Sequence, residues 1–412
     1  MPTPSLLIVP ARFKSGKLYS QIPTSGAGDF TVTRATNATR VNASGLIESV
    51  ASGIPRLDYF SSDGTVGCPA LLVEPAATNL VPNGVGFNAQ TGVQTSGVTD
   101  SPAVAISGTL ATKNEASGTI RYANQTFSAT ALASGTTYSV SRFFKYNGVA
   151  FTTSLQRNDA LQWGSVGWQQ DIVLSDASGV TLGASTLCTG SIENFGNGWY
   201  RVNVRVTTGA TIGGSATVQV ISILPAALST GQGFLIACPQ LETGSVATSY
   251  IPTTTGSVTR NTDIISVTGA VSGSIGQTEG TLYAEVDFSR ISSGRFFSIN
   301  TGSAANRVLF VRNSNNSTIF IVTSNSTPQC AISSSIISNG IHKFAGAYKA
   351  NDFAYYIDGV QIGVDAIGTV PACSIVDLGN EATSTPYNDR ILSAALYTTR
   401  LTNDELAALT SL

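Results

Sequence analysis

The chain has 412 residues, a net charge of −2 and 42 % hydrophobic residues, enough for two or three domains each with its own core. Charged residues make up only 11 %, against about 25 % in an ordinary soluble protein. There is no basic stripe to neutralise phosphates, so nucleic acid is excluded as a partner. No apolar run approaches the 18 or so residues of a membrane-spanning helix, which excludes membrane insertion by that route. Ser, Thr, Asn and 41 Gly take the place of charge, a surface suited to a large assembly or to work outside the cell.

The chain opens MPTPSLLIVPARFKSGKLYS. Its apolar stretch, residues 6–9, is too short for a signal-peptide core and is bounded by prolines. Secretory export is therefore not expected, and release by lysis is. Beyond it, helical periodicity is nearly absent. Short alternating apolar and polar runs, separated by Gly, Asn, Asp, Ser and Pro, predict antiparallel strands. Clear examples are residues 200–206 (YRVNVRV), 218–224 (VQVISIL) and 281–288 (TLYAEVDF). Asp358-Gly359 joins the apolar runs 354–357 and 360–364, which predicts a type I′ hairpin because both turn residues need positive φ. One helix is expected near the end: Thr402 can cap it while Glu405 reaches back, as in a capping box, and Asp404 and Glu405 suit the positive helix N-terminus.

The expected fold is all-β, with tandem β-sandwich (jelly-roll) domains and a short C-terminal helix. Composition divides the chain into an N-terminal module at 1–82, a first sandwich at 83–256 and a second at 257–412, with residues 253–257 as linker. Two short echoes stand out, residues 31–36 (TVTRAT) and 257–262 (SVTRNT). They read equally well as module entries and as chance in a Thr-rich chain.

Few residues suggest chemistry. The five cysteines, Cys68, Cys188, Cys238, Cys330 and Cys373, are scattered. They read as buried free thiols rather than a zinc site, with a Cys330–Cys373 bridge left open. Glu285 and Asp287 alternate on one strand, which places their carboxylates on one side about 7 Å apart. Retaining glycosidases place theirs about 5.5 Å apart, and a solvated strand face is the favoured reading. His342 is the only histidine; without a Gly-x-Ser-x-Gly elbow it reads as a strand histidine near the surface, not a catalytic base. Asp377, Asn380 and Glu381 offer oxygens for calcium, but loop polarity explains them equally. Trp163 and Trp168, flanked by Gln162 and Gln169, form the candidate glycan platform: sugar rings stack C–H faces on aromatics while amides bond the hydroxyls. Core filling is the competing reading for both tryptophans.

Residues 28–36, 38–42, 45–48, 55–59, 68–75 and 77–80 together resemble the leader module of many bacteriophage structural and fibre proteins. The stretches 196–202 (GNGWYRV) and 239–252 (PQLETGSVATSYIP) resemble the carbohydrate-binding-like sandwich that commonly follows that leader. Residues 257–412 resemble concanavalin-A-like or laminin-G-like jelly rolls. Glucanases of that fold carry Glu-x-Asp-x-x-Glu on a strand; here Arg290 stands where the second Glu is expected, so catalysis is not expected.

The resemblances imply a virion structural protein, a head or tail fibre or decoration subunit. Its N-terminal module would dock to other virion proteins, and its lectin-like domains would bind a host cell-surface glycan. They also imply a homotrimer on the virion surface, made in the host cytoplasm. No cofactor and no metal are expected. The alternatives are a tail-spike-like polysaccharide depolymerase and a purely structural capsid decoration protein without ligand.

Overall fold

A computed structural model describes residues 2–12, 16–61, 64–81, 132–157, 163–212, 228–254, 256–290, 293–381 and 386–411, and the strand backbone of 93–96, 109–113, 121–128 and 217–224. Among these residues the fold is all-β, with one short α-helix at the C-terminal end.

The first sandwich faces a five-stranded sheet against a six-stranded one. In spatial order the five are Arg121–Ser128, Thr217–Leu224, Phe151–Arg157, Gln169–Ser175 and Gly179–Thr186. The six are Thr189–Asn194, Trp199–Thr207, Thr137–Lys145, Gly233–Thr243, Thr109–Lys113 and Val93–Ser96. Alternation explains the filling. Val202, Val204 and Val206 point inward with Val140 and Phe144, and meet Leu155, Ile172 and Leu174 of the other sheet.

The second sandwich pairs an eight-stranded sheet with a seven-stranded one around an aromatic core that includes Phe296, Phe310, Phe320, Phe344 and Tyr355. Its strand pairing crosses the compositional division of the chain. Leu6–Ile8 and Val66–Val73 both pair with Asp389–Tyr397, and Thr31–Thr33 pairs with Ile264–Val267. Leu6, Phe30, Leu71 and Val73 lie in the aromatic core. The same N-terminal stretch also reaches the first sandwich: Val41, Ile47 and Phe60 are buried with Phe143, Phe195 and Trp199. At about 1.5–3 kcal/mol for each such side chain removed from water, residues 1–82 are anchored on both sides. The turn expected to end that module, near residue 83, lies outside the described residues.

Local expectations are met. Asp358 and Gly359 have φ of 48° and 82° and join Phe353–Ile357 to Val360–Asp365. Glycine suits the second position because it carries no Cβ to oppose positive φ. Asn403–Thr410 is helical, Thr402 accepts from the Glu405 amide, and the Glu405 carboxylate accepts from the Thr402 amide. Leu401 and Leu406 seat this end on the outer face of the eight-stranded sheet, where Ala345, Ala347, Ala354 and Ala395 keep the surface low.

The five cysteines are free. Cys238, Cys330 and Cys373 are buried, Cys188 is half-buried, and Cys68 is exposed, contrary to the expectation that all are buried. Burial pushes the Cys330 and Cys373 thiols up to about 12.

Candidate functional site: a half-covered polar sheet face

The six-stranded sheet has a second face, apolar at the Trp199–Phe143 end, where the N-terminal stretch covers it, and polar beyond. The alternation that sends three valines inward sends Arg201, Asn203 and Arg205 outward along Trp199–Thr207. On one side their partners are Glu193, Ser191 and Thr189. On the other they are Phe143, Ser141 and Ser139, with Gln240 and Glu242 one strand further. Hydroxyls, amides, carboxylates and guanidiniums thus form rows across one surface.

Half of this face is covered. The Thr248–Ser249 backbone lies over it: Arg201 donates to the Thr248 carbonyl at 2.6 Å and to Ser141 Oγ at 3.0 Å. Glu242 accepts from the Thr248 amide at 2.9 Å, and Gln240 donates to Glu242 at 2.7 Å. Behind this layer sits a buried ionic knot centred on Glu74, which is fully buried. Arg56 and Arg260 each approach Glu74 Oε2 at 2.7 Å, and Arg290 reaches Oε1 at 2.9 Å. Ser249 adds its amide at 2.7 Å and its hydroxyl at 2.6 Å. Asp263 binds Arg34 at 2.7 Å and also Arg56. Burial alone would push the Glu74 carboxyl up. Arg260, Arg56 and Arg290 outweigh it and hold the group well below the carboxylate range.

The two sequence echoes acquire a physical meaning here. Arg34 and Arg260 hold the same place in them, and both feed this knot. Most of its members lie in the leader-like and 239–252 stretches. Asn79 belongs with them: it donates to the Pro239 and Ile251 carbonyls and accepts from the Val81 and Leu241 amides. Sequence reading quoted these stretches for resemblance and missed their role. The available signal was a set of charged residues in a chain that has few.

The other half of the face is open. A cleft of about 580 Å³ is lined by Ser139, Thr189, Ser191, Glu193, Asn203 and Arg205 of the sheet, by Ser245 and Ala247, and by Ser289, Arg290 and Asn339 of the second sandwich. Glu193 sits where the two halves meet, accepting from Arg290 at 3.3 Å and from Asn203 at 3.0 Å. Burial pushes its carboxyl up, but Arg290 and Arg201 outweigh that and lower it below its ordinary value. Asn203 Oδ1 is buried and, among the described residues, has no hydrogen-bond partner.

The expected tryptophan platform is corrected. Trp163 is 0 % and Trp168 1 % exposed, and their rings meet edge to face at 5.2 Å inside the first sandwich. Neither offers a face for a sugar to stack on, because a wide aromatic gains more by filling the space between two sheets. Gln169 is half-buried and donates to Asp171 at 2.6 Å. Gln162 lies outside the described residues.

Other candidates are tied up in structural contacts. Asp287 is ion-paired with Arg390 at 2.6 Å, and Glu285 accepts from Ser393 at 3.0 Å, so this strand face is not simply solvated. His342 is buried, not at the surface, with Nδ1 at 2.6 Å from Asp358 and Nε2 at 2.9 Å from the Ser338 carbonyl. Glu381 pairs with Arg307 and Arg295, Asp377 accepts from Asn300, and Asn380 accepts from the Ile265 amide. Among the described residues no group of three or more His, Cys, Asp or Glu could hold a metal ion.

No protein-family model and no curated protein matches the chain. Several solved structures are similar to part of it. The native heptameric SAP-like pentraxin from Limulus polyphemus is 14 % identical over 33 % of this chain and 70 % of its own, with a TM-score of 0.26. The CBM40 of the Ruminococcus gnavus IT-sialidase is 15 % identical over 34 % of this chain and 87 % of its own, at 0.30. Domain 4 of AbnA, a GH43 extracellular arabinanase from Geobacillus stearothermophilus, is 14 % identical over 36 % of this chain and 73 % of its own, at 0.31.

Proposed function

We propose that this chain is a non-enzymatic surface protein of a bacteriophage particle, a fibre or decoration subunit, and that it holds host glycans in the cleft between its two sandwiches. The observation that carries the glycan reading is the open half of the polar sheet face. A pocket of this size, lined by hydroxyls, amides and a few charged groups, matches the hydrogen-bonding surface of a sugar. Low charge and the leader-like stretches support the particle reading. Docking to other virion proteins through residues 1–82 and assembly as a homotrimer belong to the same proposal. Many copies on one particle would turn modest single-site affinity into firm attachment.

Two measurements test the two parts. A glycan array probed with the full chain on a multivalent bead should give signal that Asn203→Ala weakens. Silence across the array would sink the glycan part and favour a ligand-free decoration protein. Immunogold microscopy with antibody raised against the full chain should label intact particles. Absence of label, with the antibody shown to bind the native protein, would sink the particle part.

A further inference from the structure

We infer that the cleft selects acidic glycans, with Arg205 receiving a sugar carboxylate and Asn203 Oδ1 accepting a hydroxyl of the same or the adjoining ring; this rests on the glycan reading above. Three charged side chains line the cleft: Glu193, Arg205 and Arg290. Two of them are spent. Arg290 is held by Glu74 and Glu193, and Glu193 by Arg290 and Asn203. Arg205 is exposed and, among the described residues, has no carboxylate within ion-pair distance. The lining therefore carries one uncompensated positive charge, and the carboxylate that would repel an anion is already neutralised.

The second observation is independent of charge. Asn203 points its amide nitrogen at Glu193, which leaves Oδ1 buried with no donor among the described residues. A buried acceptor without a partner is costly, and a small rotation of Asn203, which is only half-buried at the cleft wall, would bring it to a ligand hydroxyl and relieve it. Asn203 and Arg205 share a strand face, two residues and hence about 6.8 Å apart. That is roughly the span from a pyranose carboxylate to a hydroxyl across the ring. A guanidinium suits the carboxylate because its planar fork makes two parallel charge-assisted bonds.

The test uses the full chain on a multivalent surface. The probes are galacturonate- and glucuronate-containing oligosaccharides, each paired with its methyl ester and its neutral hexose counterpart. The native chain should hold the acid at least about tenfold more tightly than the ester, as loss of a charge-assisted pair implies. Arg205→Gln should bring that ratio near one, chiefly by weakening the acid, with thermal stability unchanged, and Arg205→Lys should restore part of it. Equal affinity of the native chain for acid and ester would overturn this inference and leave the glycan reading standing. A ratio that survives Arg205→Gln would overturn the assignment to Arg205. Failure of every acidic and neutral glycan to bind would overturn both readings.

Discussion

Arg201 and Arg205 stand on the same strand, on the same face, four residues apart, and they lead different lives. Arg201 is buried under the Thr248 backbone with its donors engaged, while Arg205 opens to the cleft without an acidic partner among the described residues. Nothing in residue type or strand position separates them. The difference is what lies on top: a chain segment and the Glu74 knot over one, open solvent over the other. An identical side chain is thus a structural clamp where it is covered and a charge open to the cleft where it is not.

The sharpest way to break that comparison is at the centre of the covered half. Glu74→Gln leaves Arg56, Arg260 and Arg290 buried without their shared counter-charge. Removing one partner of a buried ion pair costs about 3–5 kcal/mol, to be read as a shift in the urea midpoint. A loss under about 1 kcal/mol would mean that the knot does not clamp the junction. Trp163→Ala should cost a similar ~3–5 kcal/mol by leaving a void in the core, while any sugar binding by the still-folded fraction persists. Selective loss of binding without destabilisation would return the site to the tryptophans.

Acid should loosen the covered half first. Glu74 and Glu193 both titrate below their ordinary values in the folded chain. Between the folded and the ordinary pKa, the unfolded state binds more protons. The stability these groups contribute is therefore complete above about pH 4.3 and drains away as pH falls below it toward the depressed folded values. Melting temperature should drop along that limb, and Glu193→Gln should make the drop shallower. A slope identical to that of the native chain would remove Glu193 from the linkage.

The smallest effects sharpen the comparison most directly. Arg201→Gln leaves the Thr248 carbonyl and Ser141 short of a donor and should cost about 1–3 kcal/mol. Arg205→Gln should change stability by less than about 0.5 kcal/mol, as surface substitutions do. Equal costs for the two, read by thermal unfolding, would erase the distinction between covered and open halves.

By itself the sequence determined what neighbouring residues decide together. The all-β class, the strand over residues 200–206, the Asp358-Gly359 turn and the Thr402 capping box depend on side-chain alternation, backbone φ and bonds spanning a few residues. Such features form wherever the local pattern occurs. The polar rows Arg201–Asn203–Arg205 were also latent in that alternation, since every second residue of 200–206 must leave the core. Tertiary structure alone decided the rest. It folded N-terminal strands into the sheets of the second sandwich, packed Val41, Ile47 and Phe60 against the first, and brought Arg56 to Asp263 across 207 residues of chain. It buried Trp163 and Trp168, and divided one polar face into a clamp and a cleft. Burial and pairing across such separations depend on which surfaces meet, and that is set by the packing of whole sheets, not by the pattern within any one strand.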